Sequence, residues 1–354
     1  MTQACDVLII GGGIAGASLG AALAPHRAVI VAEAEDQPGF HATGRSAAFW
    51  HEGYGGSLVA PLSRASRPAL AQAGLLAPRG AIHLGTRADE FDIVEGCAVE
   101  PLDRAALEQQ LPGLRSRWTH GFWEPALADI DVAALHGAQL ATLRRSGGEV
   151  RTSARLMAAE RTSNHWVVRF ENGGSLNAAL VVNAGGAWAD QVAERCGVKP
   201  IGIAPKRRTM VQLRVGRSGL KQLPLVIGAA GDFYFKGEGD RSIWLSPHDE
   251  IDTSPCDAAP DELDIATAIE RFQAVVDWPV ERVERSWAGL RSFAPDRVPI
   301  FGFDLREPTF FWCAGQGGFG IQTAPAAAAV CEALILRNVE PPVDASPYDP
   351  KRFG

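Results

Sequence analysis

The 354-residue sequence holds no CxxC pair and no lysine/arginine-rich run, and it has only three tyrosines. Each shortage excludes something. The six cysteines (Cys5, Cys97, Cys196, Cys256, Cys313, Cys331) are spaced for neither a zinc cluster nor a disulfide framework. They are expected to be buried, reduced thiols in an intracellular protein. The missing basic run and a formal charge of −7 argue against a nucleic-acid partner, because a phosphate-binding surface needs a positive field. Only Val7 to Ala24 forms a long stretch without charge. Asp6, not a basic residue, precedes it and five glycines interrupt it, which suits neither a signal peptide nor a membrane span. No other spanning segment, repeat or low-complexity tract is present. With 46% hydrophobic and 21% charged residues, the expectation is a soluble cytoplasmic protein of two domains.

What is present begins at the N-terminus. Asp6-Val-Leu-Ile-Ile10 has the apolar, β-rich look of a buried parallel strand. It runs into Gly11-Gly-Gly-Ile-Ala-Gly16 and an Ala/Leu-rich helix to about Leu23. Ala28 to Ala32 reads as a second buried strand, ended by Glu33. This is GxGxxG between strand and helix, with an acid closing the next strand. Gly11 permits the tight turn, Gly13 admits a pyrophosphate to the backbone, and Gly16 lets the helix lie close on the sheet. The amides of Ile14 and Ala15 open the helix and offer free N–H groups and positive dipole to phosphate. Glu33, followed by Ala34, would accept from ribose hydroxyls. This unit implies a dinucleotide and does not separate FAD from NAD.

Further segments carry a resemblance to the D-amino acid oxidase family of flavoproteins, which includes glycine and sarcosine oxidases. His41-Ala-Thr-Gly-Arg-Ser-Ala-Ala48 resembles the family's segment beside the diphosphate and isoalloxazine, with Thr43, Gly44, Arg45 and Ser46 in the matching places. Gly148-Glu-Val150 starts a β-rich stretch, and Val150 matches a residue that contacts adenine through its backbone. Ala179 to Trp188 reads as a buried strand ending in Ala184, Gly185 and Gly186, small enough for close approach of the cofactor. Phe310 to Thr323 reads as a strand and a Gly-rich turn, followed by an Ala-rich helix over 324–337. Gly317, Gly318, Gly320, Ile321 and Gln322 would turn backbone toward the flavin, where a helix N-terminus stabilises the negative charge of the reduced ring. Ser286-Trp-Ala-Gly-Leu-Arg-Ser-Phe, with Gly289 and Arg291, resembles the family's crossing from substrate domain to flavin. Within the family, the strings Thr-Gly-Arg-Ser-Ala-Ala, Pro-Lys-Arg-Arg and Trp-Ala-Gly-Leu-Arg-Ser-Phe are most similar to bacterial D-arginine dehydrogenases. The resemblance implies FAD. The cysteine that binds flavin covalently in sarcosine oxidases has no counterpart near Ala288–Phe293, so the FAD is expected to be non-covalent.

The implied reaction moves a hydride from Cα of an amino acid to flavin N5, giving an imine and then a 2-oxo acid. Such a site needs an arginine fork for the substrate carboxylate and correct placement of Cα. The resemblance assigns that role to Arg291, with Arg208 as a second carboxylate-binding arginine. Neighbours Arg207 and Arg208 face opposite sides of a strand, so one of them points inward. Tyr54, in the Gly-flanked Glu52–Gly56 loop, and Tyr234 match tyrosines lining the family's substrate pocket, the first on a lid. Two departures bear on the substrate. The acid that meets a substrate guanidinium is missing, because Pro78-Arg79 is followed by Gly80-Ala81, and Phe49 replaces a histidine. The expectation is a D-amino acid with an uncharged side chain. Glu52 on the lid is a possible replacement charge. No metal ligand is assigned and no histidine receives a role. Asp129 and Asp131 are read as acids that start the helix near Val132.

The fold implied is α/β. A Rossmann-like FAD domain of the glutathione reductase type (1–78, 128–204, 286–354) is interleaved with a mostly antiparallel substrate domain (79–127, 205–285). Three alternatives stay open: an enzyme for an N-methyl or cyclic amino acid or a 2-hydroxy acid, a non-catalytic flavoprotein subunit of an electron-transfer complex, and an NAD-binding protein. The electron acceptor (oxygen, quinone or other) is unidentified, so oxidase and dehydrogenase are not distinguished.

Overall fold

A computed structural model describes residues 3–354. Its first sheet is built on parallel strands whose C-terminal ends converge. Gln3–Ile10 lies between Val29–Ala32 and Ser175–Asn183, and Glu149–Arg151 extends the sheet beyond Val29–Ala32. Ser175–Asn183 takes Trp166–Phe170 antiparallel along its first half and Phe310–Ala314 parallel along its second. Parallel strands are covered on both faces, so they read as continuous apolar runs. Val7, Leu8 and Ile9 are fully buried, and each such side chain contributes about 1.5–3 kcal/mol. The helix Ile14–Leu23 covers one face together with Gly320–Leu336. The second helix starts at Gly320, ahead of the 324 expected from its alanines, because the glycine turn feeds straight into it.

The second sheet has ten strands. Its centre is the long antiparallel pair Ala204–Val215 and Val280–Phe293. Ser242–Ser246, Tyr234–Gly237 and Leu225–Gly228 follow on one side, then Ala81–Gly85, His120–Glu124 and Glu100–Leu102. Leu225–Gly228 and Ala81–Gly85 are parallel; the other pairings are antiparallel. The helix Glu262–Val275 packs Ala268, Phe272 and Val275 beneath this sheet. Val280–Phe293 crosses the expected boundary at 285/286 unbroken, because cross-strand pairing holds it to Ala204–Val215 throughout. On its far side it pairs with Gln316–Gly317, the turn that ends the first sheet's Phe310–Ala314. The two sheets therefore meet at that turn.

Asp131 caps the helix Val132–Arg145 by accepting from Ala134 N at 2.9 Å. Asp129 departs from the expectation: it accepts from Arg79 Nε at 2.5 Å and Lys236 Nζ at 2.9 Å. The thiols also divide. Cys5, Cys196, Cys313 and Cys331 are buried, Cys97 is half-buried and Cys256 is exposed. No described helix is long and apolar enough to cross a membrane.

Candidate active site

A cleft runs along the C-terminal ends of the parallel strands and onto the face of the second sheet. Its first half is main chain. Gly11 (φ +110°) lies against the Ala184 carbonyl, where a Cβ would overlap it; a Cβ on Gly16 would overlap Gly11 O. The helix that follows has no acid in its first turn and no side chain of its own as cap. Thr43 Oγ1, from the next segment, accepts from Ile14 N at 3.0 Å. Ala15 and Gly16 are left without intrahelical acceptors, as at any helix start. Glu33 accepts from Gly12 N at 2.8 Å and from Glu35 N at 2.9 Å, fixing both turns, and its carboxylate still lines the cleft. Opposite, Gly320–Leu336 also starts with no acid in its first turn and no side-chain cap. Two helix N-termini with uncompensated dipoles thus face one cleft, an arrangement that favours an anionic ligand.

Of the residues singled out in the sequence for the cofactor, Gly11, Gly13, Ile14, Ala15, Glu33, Ala34, Thr43, Arg45, Ser46, Ala184, Gly185, Gly186, Gly289, Arg291, Gly317, Gly318, Gly320 and Ile321 line this cleft. Four lie off its wall. Gly16 lies under the helix against Gly11. Gly44 closes the loop by donating to Gly39 O at 2.8 Å. Val150 pairs with Val31 and packs on the core, so Ala154, Arg155 and Leu156 form the wall there instead. Gln322 is buried and turns away, its amide exchanging hydrogen bonds with His51 N and His51 O, both at 3.1 Å. The Arg45 guanidinium is also occupied: it donates to Ala258 O and Ala288 O and pairs with Asp257.

The second half is made of side chains. Lys206 faces Arg291 across the central strand pair, so Arg208, two residues on, shares Arg291's face. Arg207 points away and pairs with Asp264 at 2.6 Å. Arg208 is buried, its Nε donating to Asp249 O at 2.6 Å and its Nη2 lying 3.4 Å from Glu250, while Nη1 has no hydrogen-bond partner. Burial first, and then Arg291, lower its pKa. Arg291 Nη1 donates to Tyr54 Oη at 2.7 Å, and no described carboxylate lies within ion-pair distance of it. Burial disfavours its charge, but Tyr54, Tyr234 and the more distant Glu250 and Asp249 outweigh that and hold its pKa up. Tyr234 Oη meets Met210 Sδ at 3.1 Å. Ala47, Met210 and Tyr234 form an apolar patch with Phe49 against it.

Three features escaped the sequence reading. Glu35 accepts from Arg155 at 2.9 Å and meets His41 at 3.0 Å, and the His41 ring lies against Trp188; all four line the cleft. The His41 bond chiefly lowers the Glu35 pKa. His248 has a left-handed backbone (φ +53°) beside Tyr234; burial, Arg208 and Arg291 push it down to about 3. Behind the Tyr54 loop, His51 and His83 both meet Glu124, at 3.2 and 2.8 Å. Chemistry-bearing residues separated by tens of positions carried no local pattern. The missing acid after Arg79 has a steric counterpart: the Trp123 ring fills the space where a side chain at Gly80 would start.

The model of the DAO family, described as FAD dependent oxidoreductase, matches residues 6–334. Bifunctional protein ThiO/ThiG of a Nostoc strain is 27% identical over 276 residues, covering 76% of this chain and 40% of that protein. Hydrogen cyanide synthase subunit HcnC of Pseudomonas aeruginosa is 25% identical over 259 residues, covering 71% and 59%. The chain thus spans about half the length of these curated relatives. Among solved structures, L-proline dehydrogenase from P. horikoshii superposes with a TM-score of 0.85 at 21% identity, covering 100% of this chain and 98% of that one. Glycine oxidase from Geobacillus kaustophilus gives 0.83 at 22%, covering 98% of both. These similarities support the family and not the narrower likeness to D-arginine dehydrogenases. The chain belongs to the DAO family of FAD-dependent oxidoreductases, and FAD is the cofactor whose anionic diphosphate suits its uncompensated helix N-termini.

Proposed function

We propose that the protein oxidises the Cα–N bond of a small amino acid with an uncharged side chain, of D configuration, to an imine that water converts to a 2-oxo acid and ammonia. One observation carries this reading. Arg291 lies on the cleft wall without a carboxylate partner, and Arg208 beside it keeps an unpartnered buried Nη1. Two guanidiniums sharing a desolvated face need an anion, and an α-carboxylate matches an arginine fork in two parallel hydrogen bonds. Tyr54, held on Arg291, orients that fork. The Ala47, Met210 and Phe49 patch takes an apolar side chain. Charges nearby are already paired, as in Arg79–Asp129–Lys236, which leaves no free acid for a cationic substrate there. Bound FAD supplies the two-electron acceptor. The site residues' work is to bind the acid and set Cα against the Gly317–Gly318 side of the cleft. The D configuration rests on the strings quoted from the sequence alone, and the solved L-proline dehydrogenase and glycine oxidase set the competing substrates to test.

The test is anaerobic mixing of the flavin-loaded protein with D- and L-amino acids, glycine, sarcosine and 2-hydroxy acids, following flavin absorbance. Rapid bleaching is expected with D-alanine- or D-valine-sized substrates and slow or no bleaching with D-arginine. Bleaching by L-proline or a hydroxy acid alone overturns the substrate reading. No bleaching with any member favours an electron-transfer subunit.

A further inference from the structure

The three residues behind the Tyr54 loop bear on something the flavin chemistry does not use. His83 and Glu124 stand on neighbouring antiparallel strands. Ala81 is directly opposite Glu124, so His83, two residues along, shares Glu124's face. Ile82, Leu84 and Trp123 point the other way, into the core. His51 arrives from elsewhere, following Phe49–Trp50, and Gln322 grips its backbone N–H and C=O. Gln322 is fixed in turn by donating to Ser63 Oγ at 2.7 Å. One ring nitrogen each of His51 and His83 and a Glu124 oxygen all lie within 4.8 Å of one another, and both Nε2 atoms meet Glu124 Oε2.

We infer that His51, His83 and Glu124 form a binding site for a divalent transition-metal ion of the zinc type, tying the Tyr54 loop to the second sheet. Two imidazoles and one carboxylate are a zinc donor set, and three protein ligands leave a fourth position open. Bonds of about 2.0–2.1 Å at tetrahedral angles put donor atoms roughly 3.3 Å apart. The His51–Glu124 edge is 3.2 Å and the His83–Glu124 edge 2.8 Å, so of these two only the shorter has to open, and the edge between the imidazoles is no more than 4.8 Å. A second observation concerns Glu124 itself. The residue is 2% exposed, both imidazoles meet its Oε2, and Oε1 has no partner. A buried oxygen without a partner costs stability unless a cation or donor reaches it. No acid cluster or backbone turn is needed for the site; its ligands come from three separate segments. His51 precedes Tyr54 by three residues and its ring stacks on the Tyr54 ring at 6.0 Å, so an ion here would hold the loop that carries the Arg291 contact.

The experiment uses the flavin-loaded full chain, stripped with chelator, reloaded with Zn²⁺ and desalted. Elemental analysis is expected to find about one zinc per chain in the wild type, and a loss of roughly tenfold or more in His83→Ala and Glu124→Gln with the flavin spectrum intact. X-ray absorption of zinc-loaded wild type is expected to show only nitrogen and oxygen neighbours. This second measurement decides the matter even if a variant fails to fold. Wild type that retains no zinc, variants that bind as wild type does, or sulfur neighbours from a cysteine would each overturn the site and leave a hydrogen-bonded His–Glu–His cluster. None of these outcomes depends on the proposed substrate.

Discussion

The dinucleotide half of the cleft is built from main chain, and the reacting half from side chains. In the first, glycines at 11 and 16 bring backbone so close that a single methylene would collide, and the useful groups are amides common to every residue. In the second, Arg208, Arg291 and Tyr234 stand on three strands whose register sets where their terminal groups lie, and Tyr54 reaches Arg291 from a loop behind the wall. Backbone recognition tolerates almost any neighbouring side chain but no change of space. Side-chain recognition tolerates changes of space but not the loss of one charged head. The two halves are therefore expected to fail in different ways.

The strongest break is Gly16→Ala. Its Cβ meets the Gly11 carbonyl, a backbone atom that cannot rotate aside, so the protein is expected to purify without flavin. Absorbance near the flavin band against protein absorbance reads this, and full flavin content would refute the backbone account. Arg291→Ala acts on the other half alone. It is expected to remove about 2–5 kcal/mol of transition-state binding, roughly 30- to 5,000-fold in kcat/KM, with flavin content unchanged. Unaltered steady-state kinetics would end the carboxylate assignment.

Acid stability sharpens the contrast further. His248 titrates near 3 in the fold and near its ordinary 6.5 when unfolded. Below pH 6.5 the unfolded chain takes up the proton and the native one does not, so stability falls as pH drops toward 3. The slope from this one group is at most about 1.4 kcal/mol per pH unit. His248→Asn is expected to flatten that fall in urea melts taken between pH 6.5 and 4; parallel curves would show that the imidazole is not desolvated. Tyr54→Phe removes one hydrogen bond to Arg291, about 1 kcal/mol, and is expected to raise KM about fivefold with little change in kcat. Equal loss in kcat would place the hydroxyl in the chemical step instead. Asp131→Ala, away from both halves, is expected to lower stability by about 1 kcal/mol through the lost helix cap and leave both flavin content and kcat/KM untouched.

Legibility followed the same division. The turn from Ile10 to Gly16, the acid Glu33 and the Gly317–Ile321 stretch were readable because their geometry is set within a few residues, by left-handed backbone and helix starts. The Val150 side chain packs on the core beside Val31, away from the cleft, which depends on packing and leaves the expected backbone contact with adenine as a proposal. Gln322 stands off the wall that its neighbours line because the helix turns its amide toward His51. Asp129 reads locally as a helix-starting acid, but Lys236 and Arg79 claim it from more than forty residues away.

By itself the sequence determined the dinucleotide turn, the parallel strands and the capping by Asp131, since short-range sterics and periodicity encode them; the carboxylate role of Arg291 and Arg208 is an expectation from the family resemblance. Tertiary structure alone decided that Arg208 rather than Arg207 faces the cleft, that Tyr54 rests on Arg291, and that His51, His83 and Glu124 converge. Those outcomes depend on strand register and on packing between segments far apart in the chain, where moving one residue along a strand turns a side chain to the opposite face.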